Sequence, residues 1–300
     1  MSNKFSEWLM RWLFSALLRF FSKLPYRLVA QIGSTVGLAL YYLPSRRKKI
    51  LHTNLSLCFP EWSLKKRQEI AKAHCQQVIR SYFERGFQWF LPAKDLAKLI
   101  QVDSAIDLKN SNLPPTIFLF FHFVGLEAAS IYLNCLLDRH CGSVYSRFTN
   151  PAVEAIALRQ RERFQGEMIQ RSNRAAFGLI RLLKKKQPII LAADMDFGIQ
   201  DSQFVPFFGI PACTLTSVSR LARAAKAQVV PFTCEVLPNY QGYKMKIFAP
   251  WENYPTDDIF ADTRRMNQFL EEQIITMPEQ YYWIHRRFKT RPSGEASFYG

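Results

Sequence analysis

Residues 116–131, TIFLFFHFVGLEAASI, place an apolar run, a histidine and a glutamate in one short stretch. Residues 117–121 are β-branched, aromatic or leucine and follow the breaker pair Pro114 and Pro115. So short and apolar a run predicts a buried strand. His122 then stands at its carboxyl end. Gly125 allows a sharp turn, and residues 126–137 read as a helix, so Glu127 falls in or near its first turn, where the helix dipole favours a carboxylate. In an open α/β sheet, ligands bind just outside the carboxyl ends of the strands. The expected geometry has Glu127 reaching back to one imidazole nitrogen of His122, fixing the tautomer and leaving the other nitrogen as a base. A satisfied core histidine is the plainer reading, and this stretch alone does not choose between the two.

The 300 residues, 48% of them hydrophobic, suffice for one sizeable α/β domain with some chain left over. Lys and Arg number 40 against 24 Asp and Glu, and the net charge of +16 predicts attraction to something anionic. Nucleic acid, an anionic bilayer, an acidic protein and a phosphorylated substrate all qualify. Cys58, Cys75, Cys135, Cys141, Cys213 and Cys234 form no Cys-x-x-Cys and no Cys/His cluster of zinc spacing. Reduced, mostly buried thiols and no metal are expected.

At the amino terminus, residues 8–21 (WLMRWLFSALLRFF) are apolar except for Arg11, Ser15 and Arg19, which are spaced by four and share one helical face. This suits an amphipathic helix lying in a bilayer interface with tryptophans and arginines as anchors. A second run at 28–43 has 16 residues and includes Gln31, Ser34 and Thr35, short of the roughly 20 needed to span. Basic residues flank it on both sides, so charge gives no clear crossing, and a helix pair that enters one leaflet and returns accounts for both runs. No small-residue cleavage site follows the first run, against a cleaved signal peptide. The expected division is a membrane-associated segment 1–44, a helical cap 45–100 and an α/β core 101–300, with 45–300 forming one compact domain.

Residues 65–91 show helical periodicity behind Ser63, a candidate N-cap, and predict one long helix broken near Gly86, with His74 a structural residue inside it. Residues 150–164 begin with a turn and become a helix that places Arg159 and Arg163 one turn apart, a spacing able to grip a phosphate. Pro188 opens a second buried strand, 189–193, which ends in Asp194, Met195 and Asp196. Two carboxylates at a strand's carboxyl end look like a metal site or an acid/base pair; neither role is required, and Asp194 or Asp196 is expected as a hydrogen-bonding support. Residues 204–211 read as a loop whose Phe204, Phe207 and Phe208 are either core or the wall of an acyl-chain site. Two later strands are expected at 229–235 and 243–248, and an amphipathic helix at 257–275. His285 is a rival base, but no carboxylate stands at a comparable spacing. Arg286, Arg287, Lys289 and Arg291, interleaved with Tyr282, Trp283 and Phe288, form a basic aromatic cluster of the kind that binds nucleic acid. Beside an apolar amino terminus, an anionic lipid or an acidic carrier protein is the better partner.

The His-x4-Glu pair, together with residues 46–63 (RRKKILHTNLSLCFPEWS), 194–198 (DMDFG), 204–214 (FVPFFGIPACT) and 278–292 (PEQYYWIHRRFKTRP), resembles the late acyltransferases of lipid A biosynthesis. The resemblance runs from about the first helix to Pro292. It implies a glycerolipid-acyltransferase-like α/β fold with a mixed central sheet, on the cytoplasmic face of a Gram-negative inner membrane. The implied reaction moves a fatty acyl chain from an acyl carrier protein thioester to a hydroxyl of a lipid A precursor, with no cofactor and no nucleic acid. In that reading His122 takes the hydroxyl proton, Glu127 orients it, and nearby backbone N–H groups hold the oxyanion. Arg159 and Arg161 match arginines that the family carries after an Asn-Pro pair, and with Arg286 and Arg287 they are expected to hold substrate phosphates or the carrier. Acylation of lysophosphatidate or glycerol phosphate is the competing enzymatic reading. Glu127 in place of the usual aspartate and the absence of a Phe-Pro-Glu-Gly-Thr block speak against it. A non-catalytic basic membrane-binding protein is the alternative of another class.

Overall fold

The computed structural model describes residues 2–172 and 174–299, with side chains from residue 8 onward, and Met1, Asn173 and Gly300 lie outside the described residues. Six helices come first: α1 (Ser2–Phe21), α2 (Tyr26–Tyr42), α3 (Arg46–Cys58), α4 (Leu64–Phe83), α5 (Arg85–Phe90) and the single turn α6 (Ala93–Leu96). Ser45 and Ser63 cap α3 and α4 by accepting from the backbone N–H groups of Lys48 and Lys66. The break expected near Gly86 falls at Glu84, which closes α4 and opens α5.

The sheet elements then alternate with helices: β1 (Ile100–Ser104), β2 (Thr116–Phe120), α7 (Leu126–Leu137), β3 (Cys141–Tyr145), α8 (Pro151–Arg161), β4 (Gly166–Gln170), α9 (Ala175–Lys184) and β5 (Ile189–Ala192). After these come β6 (Ser202–Phe207), β7 (Ile210–Leu215), α10 (Ser217–Ala225), β8 (Gln228–Val236), β9 (Tyr243–Ile247) and α11 (Ile259–Thr276). Seven strands form one mixed sheet in the order β1-β9-β8-β2-β5-β3-β4. Strands β8, β2, β5, β3 and β4 are mutually parallel, β9 runs antiparallel to β8, and β1 is parallel to β9. The expected α/β class with a mixed central sheet flanked by helices is therefore present.

β2 is buried at every position, as expected for a central strand covered on both faces. The edge strands β1 and β4 and their neighbour β3 carry no such run: IQVDS, GEMIQ and CGSVY are polar, glycine-bearing or half-exposed. Only pairing to a neighbour makes them strands, and the sequence gives no separate sign of them.

The expected loop at 204–211 is a hairpin, with β6 and β7 pairing antiparallel. Its two turn residues, Phe208 and Gly209, both have positive φ (49° and 77°), the type I′ signature of a two-residue hairpin. Pro206 faces Pro211, one pair beyond the hydrogen-bonded pair that closes the turn, so neither missing N–H breaks the ladder.

α2 lies along α4 with glycine at the contact. A Cβ on Gly37 would stand 2.6 Å from the Cys75 carbonyl oxygen and 2.7 Å from the Gln76 Cα. Gly125 is likewise required by space rather than by its turn. Its φ is an ordinary −74°, but a Cβ there would lie 2.5 Å from the carbonyl oxygen of Cys234 on β8. No helix among the described residues is long and apolar enough to cross a membrane. Because the α2–α4 contact is backbone to backbone, Gly37→Ala is expected to destabilise the protein by about 1–3 kcal/mol. A lowered denaturant midpoint reads this; an unchanged midpoint would mean that the two helices do not touch here.

Candidate active site

β2 and β5 are neighbours in parallel register, with Ile117 beside Ile189 and Phe120 beside Ala192. Two residues further on, the same register brings His122 alongside Asp194. The backbone N–H of His122 donates to Asp194 Oδ2 at 3.1 Å, and Nδ1 lies 2.8 Å from Oδ1. Asp194 is fully buried. Burial pushes its carboxyl up, but the attraction of His122, the two hydrogen bonds from that residue and the charge of Arg287 outweigh burial and hold it below the usual carboxylate range. An ionised carboxylate only accepts, so Nδ1 carries the proton and Nε2 the lone pair. Nε2 has no hydrogen-bond partner among the described residues, and the His122 side chain is 22% exposed. The carboxylate on the His122 imidazole is thus Asp194, and the expected contact from Glu127 is not made.

Glu127 sits in the first turn of α7, as expected, but its side chain points elsewhere. Oε1 accepts from Trp89 Nε1 at 2.8 Å and from Arg161 Nε at 2.9 Å, and Oε2 accepts from an Arg161 terminal nitrogen at 2.6 Å. Arg85 approaches to 3.6 Å. Burial alone raises this carboxyl, but Arg161, Arg85 and the hydrogen bonds bring it down to about 2. Arg161, assigned to substrate by resemblance, is the bidentate partner of Glu127. Only four residues separate Glu127 from His122, yet both of its oxygens are occupied by Trp89 and Arg161.

His285, the rival base, accepts at Nε2 from the Asp196 backbone N–H at 3.1 Å. Burial, with repulsion from His122 and Arg287, lowers it to about 4. A neutral imidazole whose lone pair is already engaged is not a free base. Asp196 is a support: its oxygens accept from Gly198 N–H at 2.9 Å, Thr290 N–H at 2.6 Å and Thr290 Oγ1 at 2.8 Å. Its expected contact with substrate is not available, since the carboxylate is only 2% exposed.

The basic carboxyl-terminal cluster is largely turned inward. Arg287 is 1% exposed and donates to the Cys213 carbonyl at 2.8 Å and to Thr214 Oγ1 at 2.6 Å, tying the segment to β7. It cannot hold a substrate phosphate from there. Arg291 donates to the Pro211 carbonyl at 2.6 Å, and Lys289 lies 4.0 Å from Asp196. Arg286 is half-buried beside the Tyr299 ring. Phe207, a candidate acyl-chain wall, is fully buried among Phe208, Tyr281 and Phe288. His74 is buried too, with Nδ1 2.9 Å from the Glu279 carbonyl.

The amides expected to hold an oxyanion next to the base are also engaged. His122 N–H donates to Asp194, Phe123 N–H to the Phe121 carbonyl and Val124 N–H to the Gln280 carbonyl. Arg159, by contrast, is exposed on α8 and faces α1 across two adjoining recesses of about 290 and 480 Å³. Arg11, Ser15 and Arg19 line this groove, so the polar stripe of α1 faces α8. Trp89 lines the smaller recess and is the indole that binds Glu127. The recesses do not include His122; that Trp89–Glu127 link joins them to the helix that follows it.

Comparison with known proteins finds matches over nearly the whole chain. Residues 2–290 match the model of the bacterial lipid A biosynthesis acyltransferase family. The chain is 33% identical over 292 residues to a lipid A biosynthesis lauroyltransferase of Escherichia coli K12, covering 96% of this chain and 94% of that protein. It is 32% identical over 291 residues, with the same coverage, to a lipid A biosynthesis palmitoleoyltransferase of that organism. It is also 31% identical over 286 residues to a lipid A biosynthesis acyltransferase of Haemophilus influenzae, covering 94% and 90%. With a family match over residues 2–290 and relatives above 30% identity along nearly the whole chain, the chain belongs to the bacterial lipid A biosynthesis acyltransferase family.

Proposed function

We propose that this protein is an O-acyltransferase that moves a fatty acyl chain from an acyl carrier protein thioester to a hydroxyl of a lipid A precursor. The observation that carries the reading is His122 at the carboxyl end of β2, with Nδ1 held by the buried Asp194 and Nε2 without a partner among the described residues. Nε2 takes the acceptor's hydroxyl proton as that oxygen attacks the thioester carbonyl. The tetrahedral centre collapses with cleavage of the carbon–sulfur bond, and the imidazolium returns the proton to the departing thiolate. Asp194 stabilises the imidazolium between these two transfers. The family's relatives named as lauroyl- and palmitoleoyltransferases support the acyl donor class, and the net charge of +16 suits an acidic carrier and a phosphorylated acceptor.

The reading places the protein on the cytoplasmic face of a Gram-negative inner membrane. Leu9, Met10, Leu13, Leu17 and Phe20 of α1 are exposed, as are Leu28, Ile32, Val36 and Leu40 of α2. These support an interfacial attachment, in which exposed apolar side chains enter the acyl boundary. The same helices hold the fold together on their inner faces, where Leu18, Val29 and Ala30 are buried and Tyr26 accepts from Arg80 at 2.8 Å. Attachment is therefore tested on the outer face, not by deleting residues 1–44. Leu13→Ser, Leu17→Ser and Phe20→Ser combined are expected to shift the folded protein from sedimenting with phosphatidylglycerol-containing vesicles to the supernatant. Unchanged sedimentation of the triple variant would sink the attachment.

Acyl transfer from a purified acyl carrier protein thioester tests the reaction. His122→Ala is expected to lose about 10² to 10⁴ in rate. Asp194→Asn removes the charge that fixes the tautomer and is expected to lose a similar factor, and the double variant should be no worse than His122→Ala alone, since both act in one proton-transfer unit. Near wild-type transfer by folded His122→Ala would reject the assignment.

Glu127→Gln is expected to act through the fold. It leaves Arg161 and Arg85 without their counter-charge, a loss of about 3–5 kcal/mol for a broken buried pair. The wild-type contribution of Glu127 is fully present above its ordinary value of 4.5 and fades as pH falls toward about 2. Unfolding curves from pH 7 to pH 2 should therefore converge for wild type and Glu127→Gln at the acid end; parallel curves would show that Glu127 carries no such linkage.

A further inference from the structure

An acyl transfer beside His122 develops negative charge on the carbonyl oxygen, and that charge needs a hydrogen-bond donor that is aimed and not already engaged. The amides of residues 122–124 do not meet this need, since each donates to an oxygen of the protein. One unengaged donor on the same framework belongs to His285.

The Asp196 backbone N–H donates to His285 Nε2 at 3.1 Å. A backbone amide nitrogen can only donate, so Nε2 carries the lone pair and the ring hydrogen stands on Nδ1. An imidazolium would set two N–H groups against each other across that contact, so the contact itself favours the neutral ring. Burial and the nearby charges of His122 and Arg287 act in the same direction. Nδ1 makes no hydrogen bond among the described residues. His285 is only half-buried, unlike His74, whose unpartnered Nε2 is sealed in the interior. His285 is thus a neutral imidazole that presents a free N–H, where His122 presents a lone pair.

Two links set the rings relative to each other. Asp194 and Asp196 lie two residues apart on one turn: the side chain of the first holds His122 Nδ1 at 2.8 Å, and the backbone of the second holds His285. The Tyr282 N–H donates to the His122 carbonyl at 2.9 Å, and the His285 N–H donates to the Tyr282 carbonyl at 3.1 Å. The buried Asn54 also fixes this segment, donating to the His285 carbonyl at 2.8 Å. A donor held in place before the reaction needs no reorganisation when charge develops.

We propose that His285 is a second catalytic residue, whose Nδ1–H stabilises the tetrahedral oxyanion while His122 moves the proton. This deepens the acyltransferase reading and rests on it for the reaction. As the acceptor oxygen bonds to the thioester carbon, the carbonyl π pair moves onto oxygen and receives a hydrogen bond from His285 Nδ1. A neutral imidazole is too weak an acid to give up that proton, so it acts as an electrophile only. The pair then returns to re-form the carbonyl, the carbon–sulfur bond breaks, and the His122 imidazolium protonates the departing thiolate. One turn therefore fixes both roles: a carboxylate makes the first imidazole a base, and an amide makes the second a donor.

The test separates the two nitrogens of His285. His285→Asn sets an amide nitrogen near the place of Nδ1 and leaves the Asp196 N–H without its acceptor. His285→Gln sets an amide oxygen near the place of Nε2 and removes the Nδ1 donor. Steady-state acyl transfer by the full chain from a purified acyl carrier protein thioester is measured for both, alongside their denaturant midpoints. His285→Gln should keep the wild-type midpoint and lose about 10² to 10³ in kcat, the loss typical of removing one oxyanion donor. Its KM for the acyl donor should stay within about threefold, because the interaction is made only in the transition state. His285→Asn should have the lower midpoint yet turn over about tenfold faster than His285→Gln. A purely structural tie to Asp196 predicts the reverse order. Folded His285→Gln with near wild-type kcat, or with kcat at or above that of His285→Asn, overturns the proposal and leaves the acyltransferase reading standing. If His285→Asn does not fold, the kcat of His285→Gln decides alone. No transfer by wild type rejects the acyltransferase reading, and the proposal with it.

Discussion

The parallel register of β2 against β5 is the constraint on which the site depends. Ile117 is set beside Ile189, and from there both strands deliver a polar residue at the same step, His122 from one and Asp194 from the other. Once the strands pair in this register, the backbone N–H and the imidazole of His122 meet the two oxygens of one buried carboxylate. A slip by one residue would turn every side chain of β2 to the opposite face. The fully apolar character of both faces does not forbid that slip, so the polar residues at the strand ends, held by the Asp194 contact, help to define the register.

Around that pair the protein keeps several charges out of water, each with partners. Glu127 lies between Arg161, Arg85 and Trp89. Arg287 is pinned to Cys213 and Thr214, and Asp196 to Thr290 and Gly198. A buried ion pair contributes little net stability relative to an apolar replacement, but removing one member is costly. Such groups fix geometry. Arg287 ties the carboxyl-terminal segment to β7, Asp196 ties it to the turn that carries Asp194, and His285 joins that turn again through the Asp196 N–H. Tyr299 closes the arrangement by donating to Asn54 Oδ1 at 2.5 Å, while Asn54 donates to the Trp283 and His285 carbonyls at 2.6 and 2.8 Å.

The amino-terminal helices serve two environments at once. Inward, α2 meets α4 through Gly37, and α1 buries Leu18. Outward, they expose leucines, valine, isoleucine and phenylalanine. The third face of α1 carries its arginines toward α8. A helix with three kinds of face has a mixed hydropathy that reads simply as amphipathic, and which face meets core, groove or solvent follows only from what packs against it.

Much was legible in the chain by itself. The continuous apolar runs of the central strands predicted their burial, because a strand covered on both faces has no polar side. The histidine at the end of one run located the site, serine before a helical period located caps, and the quoted motifs pointed to the family. The strands β1, β3 and β4 were not legible, since their composition is indifferent and pairing makes them strands. Nor was the β6–β7 hairpin, whose residues read as a loop. Above all, the partner of His122 was hidden. A carboxylate five residues away is conspicuous in a sequence, and one 72 residues away is not. Spacing along the chain fixes what a helix turn can bring together, but the hydrogen-bonded register of two strands distant in sequence set Asp194 on His122 and left Glu127 to Arg161. The sequence determined that a histidine stands at the carboxyl end of a buried strand; tertiary structure decided which acid holds it, because strand pairing is a non-local contact with no trace in local periodicity.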